Sequence, residues 1–118
     1  MGAYQSKRYH GDIAVVVLRR EGAEGLAGLE DYVKSMDKDG LKYVILDFNR
    51  VNYQNSDLFE IINSVGVLRK SNIGIYFCNL GNENQDPHKS LKRMRVTRLP
   101  NVHVGGSVQR TIVEILDS

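Results

Sequence analysis

Residues 43–70 constrain this chain more than any other stretch. Tyr43-Val44-Ile45-Leu46-Asp47-Phe48 is a short, almost wholly apolar run of strand-favouring residues. Such a run reads as a strand buried on both faces. Asn49 to Asn55 follows as a polar connection, with Val51 as its apolar anchor and Tyr53 as its aromatic. From Ser56 the period changes. Leu58, Ile61, Ile62, Val65 and Leu68 recur at helical spacing and make one apolar stripe. Asn55 and Ser56 suit an N-cap, and Asp57 places a carboxylate in the first turn. A strand, a tight connection and a capped helix form an α/β unit. In such sheets, function gathers at the carboxyl ends of the strands, near helix N-termini.

The elements before this unit follow from alternation and punctuation. Tyr4–Tyr9 alternates weakly and reads as an edge strand, His10-Gly11-Asp12 as a turn, and Ile13–Leu18 as a second strand, so the chain opens with a hairpin. Glu21 to Gly25 reads as a loop. Leu26, Leu29, Val33 and Met36 mark one face of a helix, for which Gly40 stands as a C-terminal glycine cap.

After the central helix, which should end near Lys70, Ile73–Leu80 reads as the next strand. Gly81–Gln85 is a polar loop, and Asp86-Pro87 opens a helix over about 88–95 that Leu99-Pro100 breaks. Val102–Val104 is a short last strand. Ser107 caps a final helix with Val108, Ile112, Ile115 and Leu116 on its apolar face. The order is β-β-α-β-α-β-α-β-α. The crossover rule makes the strands after the hairpin mostly parallel.

Ile45-Leu46-Asp47-Phe48, then Val51 and Tyr53, then Asn55-Ser56-Asp57 and the apolar helix, resemble the centre of a STAS domain, the fold of bacterial anti-sigma factor antagonists. The resemblance runs over residues 41–80 and includes the strand that ends in Asn79-Leu80. It implies a single STAS-like α/β domain over residues 1–118, with a four- to five-stranded mixed sheet, an N-terminal hairpin and about four helices packed against it. It also implies a non-enzymatic, protein-binding function: engaging an anti-sigma factor, often a serine kinase, and thereby freeing a sigma factor.

In the resembled family, a serine or threonine at the start of the central helix is phosphorylated by that kinase. An ungapped alignment from Asp47 places Asn55 on the family aspartate, Ser56 on the first serine and Asp57 on the usual acceptor. Three readings stay open. Asp57 mimics the phosphorylated state, Ser56 is the acceptor after a one-residue shift, or there is no phosphorylation switch. The partner-binding and regulatory candidates are therefore Tyr53, Asn55, Ser56 and Asp57. Alternatives are a STAS-like scaffold subunit of a larger signalling assembly and a small α/β ligand- or nucleotide-binding protein.

Composition narrows the remaining classes. A chain of 118 residues is long enough for one core, and a net charge of +2 is too small to imply nucleic acid or an anionic membrane as partner. The basic stretch His88, Lys89, Lys92, Arg93, Arg95 and Arg98 has no interleaved aromatics and reads as a solvated helix face. No apolar run approaches the ~18 residues of a membrane span, and Ile13–Leu18 is too short and too flanked by charge for a signal peptide. A cytoplasmic protein is expected. Cys78, alone, precludes an internal disulfide and reads as an inert buried thiol. Glu83 and Asp86 lack EF-hand spacing. Gly105-Gly106-Ser107 reads as a turn plus cap. His10, His88 and His103 lie in separate segments without a second metal ligand at zinc spacing. No catalytic residue, metal or cofactor is expected.

Overall fold

The computed structural model describes residues 4–18, 28–48, 61–79 and 101–117. Its sheet has five strands in the order β1 (Tyr4–Tyr9), β2 (Ile13–Leu18), β3 (Tyr43–Asp47), β4 (Gly74–Cys78) and β5 (Val102–Val104). β1 pairs antiparallel with β2, and every later neighbour is parallel. The expected hairpin is present, with His10 and Gly11 both at positive φ, 56° and 76°, in its turn. The mixed sheet matches the fold class expected from the sequence.

The pleat sends alternate residues to opposite faces. Ala14, Val16, Leu18, Val44, Leu46, Ile75 and Phe77 join the larger core, and Phe48 stacks on Phe77 with ring centroids 5.5 Å apart. On that side the core also takes Leu29 and Val33 from α1 (Leu29–Ser35) and Leu68 from α2 (Gly66–Lys70). Ile13, Val15, Ile45 and Cys78 form a second cluster on the other face with Ile115 of α3 (Val108–Leu116). Because Val44, Ile45 and Leu46 are buried whichever way they point, β3 reads as an unbroken apolar run.

The central helix keeps its stripe. Ile61, Ile62, Val65 and Leu68 are all buried; Leu58 lies outside the described residues. One detail departs from a continuous period. Val65, at φ −94° and ψ 11°, separates the helical turn over 61–64 from α2. The chain stays helical in direction, because Val65 N–H donates to Ile61 O at 3.0 Å and Leu68 N–H to Val65 O at 3.0 Å.

α2 ends near Lys70 as expected, with Arg69 and Lys70 at the negative end of its dipole. Asn72 adopts φ 61°, its N–H donates to Arg69 O (3.1 Å), and Ile73 N–H reaches back to Leu68 O (3.0 Å). This is the two-bond left-handed helix stop, filled by the short amide residue that tolerates that conformation. Ile73 and Leu68 then share the core.

The expectation for Gly40 needs correction. α1 stops at Ser35, and Met36 is already extended (φ −69°, ψ 149°). Gly40 (φ 71°) instead serves the turn before β3, where Asp37 Oδ1 accepts the Asp39 N–H at 2.9 Å. That turn is fastened by Arg8, whose guanidinium donates to the carbonyls of Gly11, Asp37 and Asp39. Arg8→Ala strands those acceptors and unpins the edge strand. The expected cost is about 1–2 kcal/mol, read as a lowered denaturant midpoint with unchanged slope; an unchanged midpoint would show the staple to be inert.

Candidate functional site

The carboxyl edge of the sheet is built from the ends of β3, β4 and β5. Phe48 N–H donates to Cys78 O (3.0 Å), Gly105 N–H to Phe77 O (2.9 Å) and Asn79 N–H to Gly106 O (2.9 Å), so the three strand ends are laced together. Asn79 turns into the left-handed region at φ 59°, and its Nδ2 donates to Asp47 Oδ1 at 2.8 Å. Asp47 is thereby held as a fixed, hydrogen-bonded carboxylate at the rim, where Phe48 hands the chain to residues 49–60. Both residues could be read from the sequence as strand ends. Their pairing could not, because they are 32 positions apart.

Tyr53, Asn55, Ser56 and Asp57 all lie outside the described residues, as do His88–Arg98 and the loop with Glu83 and Asp86. The structure describes the frame on either side of that connection: the Asp47–Asn79 rim before it and the buried helix stripe from Ile61 after it.

Behind the rim, Ser107 caps α3, its Oγ accepting the Arg110 N–H at 3.2 Å. The turn-plus-cap reading of Gly105-Gly106-Ser107 holds. Of the apolar face expected for α3, Ile115 is buried, Val108 and Ile112 are half-buried, and Leu116 is exposed. The buried position that apolar periodicity missed is Thr111. Its Oγ1 donates to Ser107 O (2.9 Å) and lies 3.2 Å from Cys78 Sγ. A polar side chain is affordable there because both of its neighbours satisfy it.

Burial pushes the Cys78 thiol up, with Asp47 and Glu114 acting the same way against the Thr111 hydrogen bond. A buried thiol kept neutral is a poor nucleophile, in line with the inert reading. On the same sheet face, Tyr76 stacks on His103 (centroids 4.7 Å apart) and meets Tyr43 at 6.1 Å. Burial, then the neighbouring Tyr43, Glu114 and Cys78, raise the Tyr76 phenol. Among the described residues no cluster of His, Cys, Asp and Glu could hold a metal ion. No helix among them is long and apolar enough to cross a membrane.

No family model matches the sequence, and no curated protein is significantly similar to it. Solved structures are. The unphosphorylated form of the anti-sigma factor antagonist SpoIIAA aligns with a TM-score of 0.62 at 11% identity, covering 96% of this chain and 97% of that one. The phosphorylated form of SpoIIAA, a Bacillus cell fate determinant, aligns with a TM-score of 0.66 at 10% identity, covering 97% of this chain and 99% of that one. At such identities the likeness speaks to architecture. The chain has the STAS fold, in the form seen in SpoIIAA.

Proposed function

We propose that this chain is a non-enzymatic protein-binding domain that engages an anti-sigma factor of the serine-kinase type and so releases a sigma factor. The observation that carries this reading is the SpoIIAA-like fold over nearly the whole of both chains, at TM-scores of 0.62 and 0.66. The binding surface would be the connection after the Asp47–Asn79 rim and the start of the central helix, with Tyr53 as an aromatic anchor and Asn55, Ser56 and Asp57 as the regulatory segment. SpoIIAA has been seen in phosphorylated and unphosphorylated forms, which supports a charge-dependent switch as the relevant chemistry. A pull-down from the source cell, read by mass spectrometry, tests the partner. Recovery of a kinase-like anti-sigma factor supports the proposal. Recovery of several copies of this chain with a sensor or kinase assembly, and no anti-sigma factor, replaces it with a scaffold role.

Asp57 makes the switch testable. A carboxylate supplies about one negative charge where phosphoserine supplies nearly two, and it lacks the third phosphate oxygen. If phosphorylation weakens binding, as the STAS resemblance implies, a fixed Asp57 biases the chain toward weak binding or toward a partner with a compensating cation. Asp57→Ser should then change affinity for the recovered partner by about 1 kcal/mol or more by calorimetry. Ser56→Ala should leave affinity nearly unchanged and cost roughly 0.5–2 kcal/mol of stability as a lost cap. Unchanged affinity in Asp57→Ser, together with phosphate on Ser56 of protein from the native cell, would place the acceptor one residue earlier.

A further inference from the structure

Among the described residues only two large apolar side chains are exposed, Val113 at 55% and Leu116 at 44%, and both stand on α3. Exposed apolar residues scattered singly are ordinary, but these two fall on one flank. Val113 and Leu116, with Gln109 and the half-buried Ile112, make a row at helical spacing along the helix. Thr111 and Ile115 meanwhile face the sheet and are buried. α3 therefore has an apolar face that the sheet covers and an apolar flank that it leaves open.

The charges beside that flank decide what covers it. Arg110, Glu114 and Asp117 form the adjoining row, again at helical spacing and all exposed. Their order runs against the dipole of the helix. The cation stands in the first turn and the acids toward the end, with no acid in the first turn and no base in the last. Such an order disfavours an isolated helix, and an antiparallel neighbour of the same sequence offsets it. We propose that this flank of α3 pairs with α3 of a second copy of the chain, antiparallel, about a two-fold axis at Val113. Like flanks then meet across the axis. Val113 packs on Val113, Leu116 lies along the aliphatic stem of Arg110 of the copy, and the Arg110 guanidinium comes between Glu114 and Asp117 of the copy. Arg110 Nε already lies 3.5 Å from Glu114 Oε1 of its own helix, and the guanidinium keeps further N–H donors for the copy. A parallel pair would set Arg110 against Arg110, so the charges select the antiparallel one. Two helices of nine residues bury less than the ~1,200 Å² of a durable complex, so the association is weak and reversible. The face is separate from the connection assigned to partner binding, and does not depend on that assignment.

Sedimentation velocity of the full chain, from micromolar to millimolar concentration, is the test. The wild type should move from monomer toward dimer as concentration rises. Val113→Glu, at an exposed position, sets two carboxylates together at the axis and should leave a monomer throughout. Arg110→Glu should weaken the dimer roughly five- to thirtyfold, since two exposed charge pairs are lost across the axis. Reversing the whole row, with Arg110→Glu, Glu114→Arg and Asp117→Arg together, should restore the wild-type association. If Val113→Glu does not fold, Arg110→Glu and the reversed row still decide. A wild type that stays monomeric throughout overturns the proposal and leaves the flank to a different partner or to none. A dimer unaffected by Val113→Glu or by Arg110→Glu, or one that the reversed row fails to restore, overturns it equally.

Discussion

Aspartate in place of Ile61 unfolds the domain. Ile61 is fully buried in the larger core with Val65, Leu68 and Phe77. Its backbone carbonyl accepts the Val65 N–H at 3.0 Å, so the residue cannot swing outward without breaking the helical turn. The substitution removes the apolar contacts of a core isoleucine, worth about 2–5 kcal/mol by analogy with truncation to alanine. It also buries a carboxylate among the apolar side chains of that core, adding a further ~3 kcal/mol or more even after its pKa rises. Against a total stability of about 5–15 kcal/mol for a domain of this kind, the sum removes most or all of it. Far-ultraviolet dichroism should show no cooperative melt at neutral pH. Ile61→Val is the control, keeping the shape within a methyl group at a cost of about 0.5–1.5 kcal/mol. A cooperative melt near that of the wild type in Ile61→Asp would mean that the stripe from Ile61 to Leu68 does not face the core.

That stripe was legible because burial is what wrote it. The same is true of β2, whose apolar run ends where the strand ends, of the buried centre of β3, and of Ser107, a hydroxyl placed before an amphipathic turn. Local signals misled where a second segment decided the outcome. Gly40 looked like a helix cap, but α1 has already ended at Ser35, and Gly40 belongs to a turn whose Asp37 and Asp39 carbonyls are held by Arg8 of β1. Leu116 looked like core, but it is the last residue of α3, and its side chain is 44% exposed while Ile115 takes the buried position. Thr111 carries no apolar signal, and its burial is tolerated because Ser107 and Cys78 complete its hydrogen bonds. At the site, the residues that end strands could be picked out one by one. The Asp47–Asn79 bond needed the parallel pairing of β3 with β4, which sets Asp47 beside Cys78 and so within reach of the next residue.

The strand ends meet most tightly at Gly105, and there a single methyl group should be felt. A Cβ built on Gly105 would stand 2.4 Å from Thr111 Oγ1 and 3.1 Å from Cys78 Sγ. Both neighbours are held. Thr111 Oγ1 donates to Ser107 O at 2.9 Å in the first turn of α3, and Cys78 is fixed in β4 with its carbonyl engaged by Phe48 N–H at 3.0 Å. Gly105 itself cannot retreat, since its N–H donates to Phe77 O at 2.9 Å. Gly105→Ala must therefore push α3 off the sheet edge or break the Thr111 hydrogen bonds. Overpacking of this kind costs about 1–3 kcal/mol. Thr111→Ala removes the obstructing hydroxyl and, alone, loses a buried hydrogen bond worth about 1 kcal/mol. In the double variant the new methyl group occupies the space that the hydroxyl leaves. Its cost should fall short of the sum of the single costs by about 1 kcal/mol or more, the coupling expected of side chains in direct contact. Chemical denaturation of the four proteins measures the cycle, and strictly additive costs would mean that Gly105 and Thr111 do not share the junction between β5 and α3.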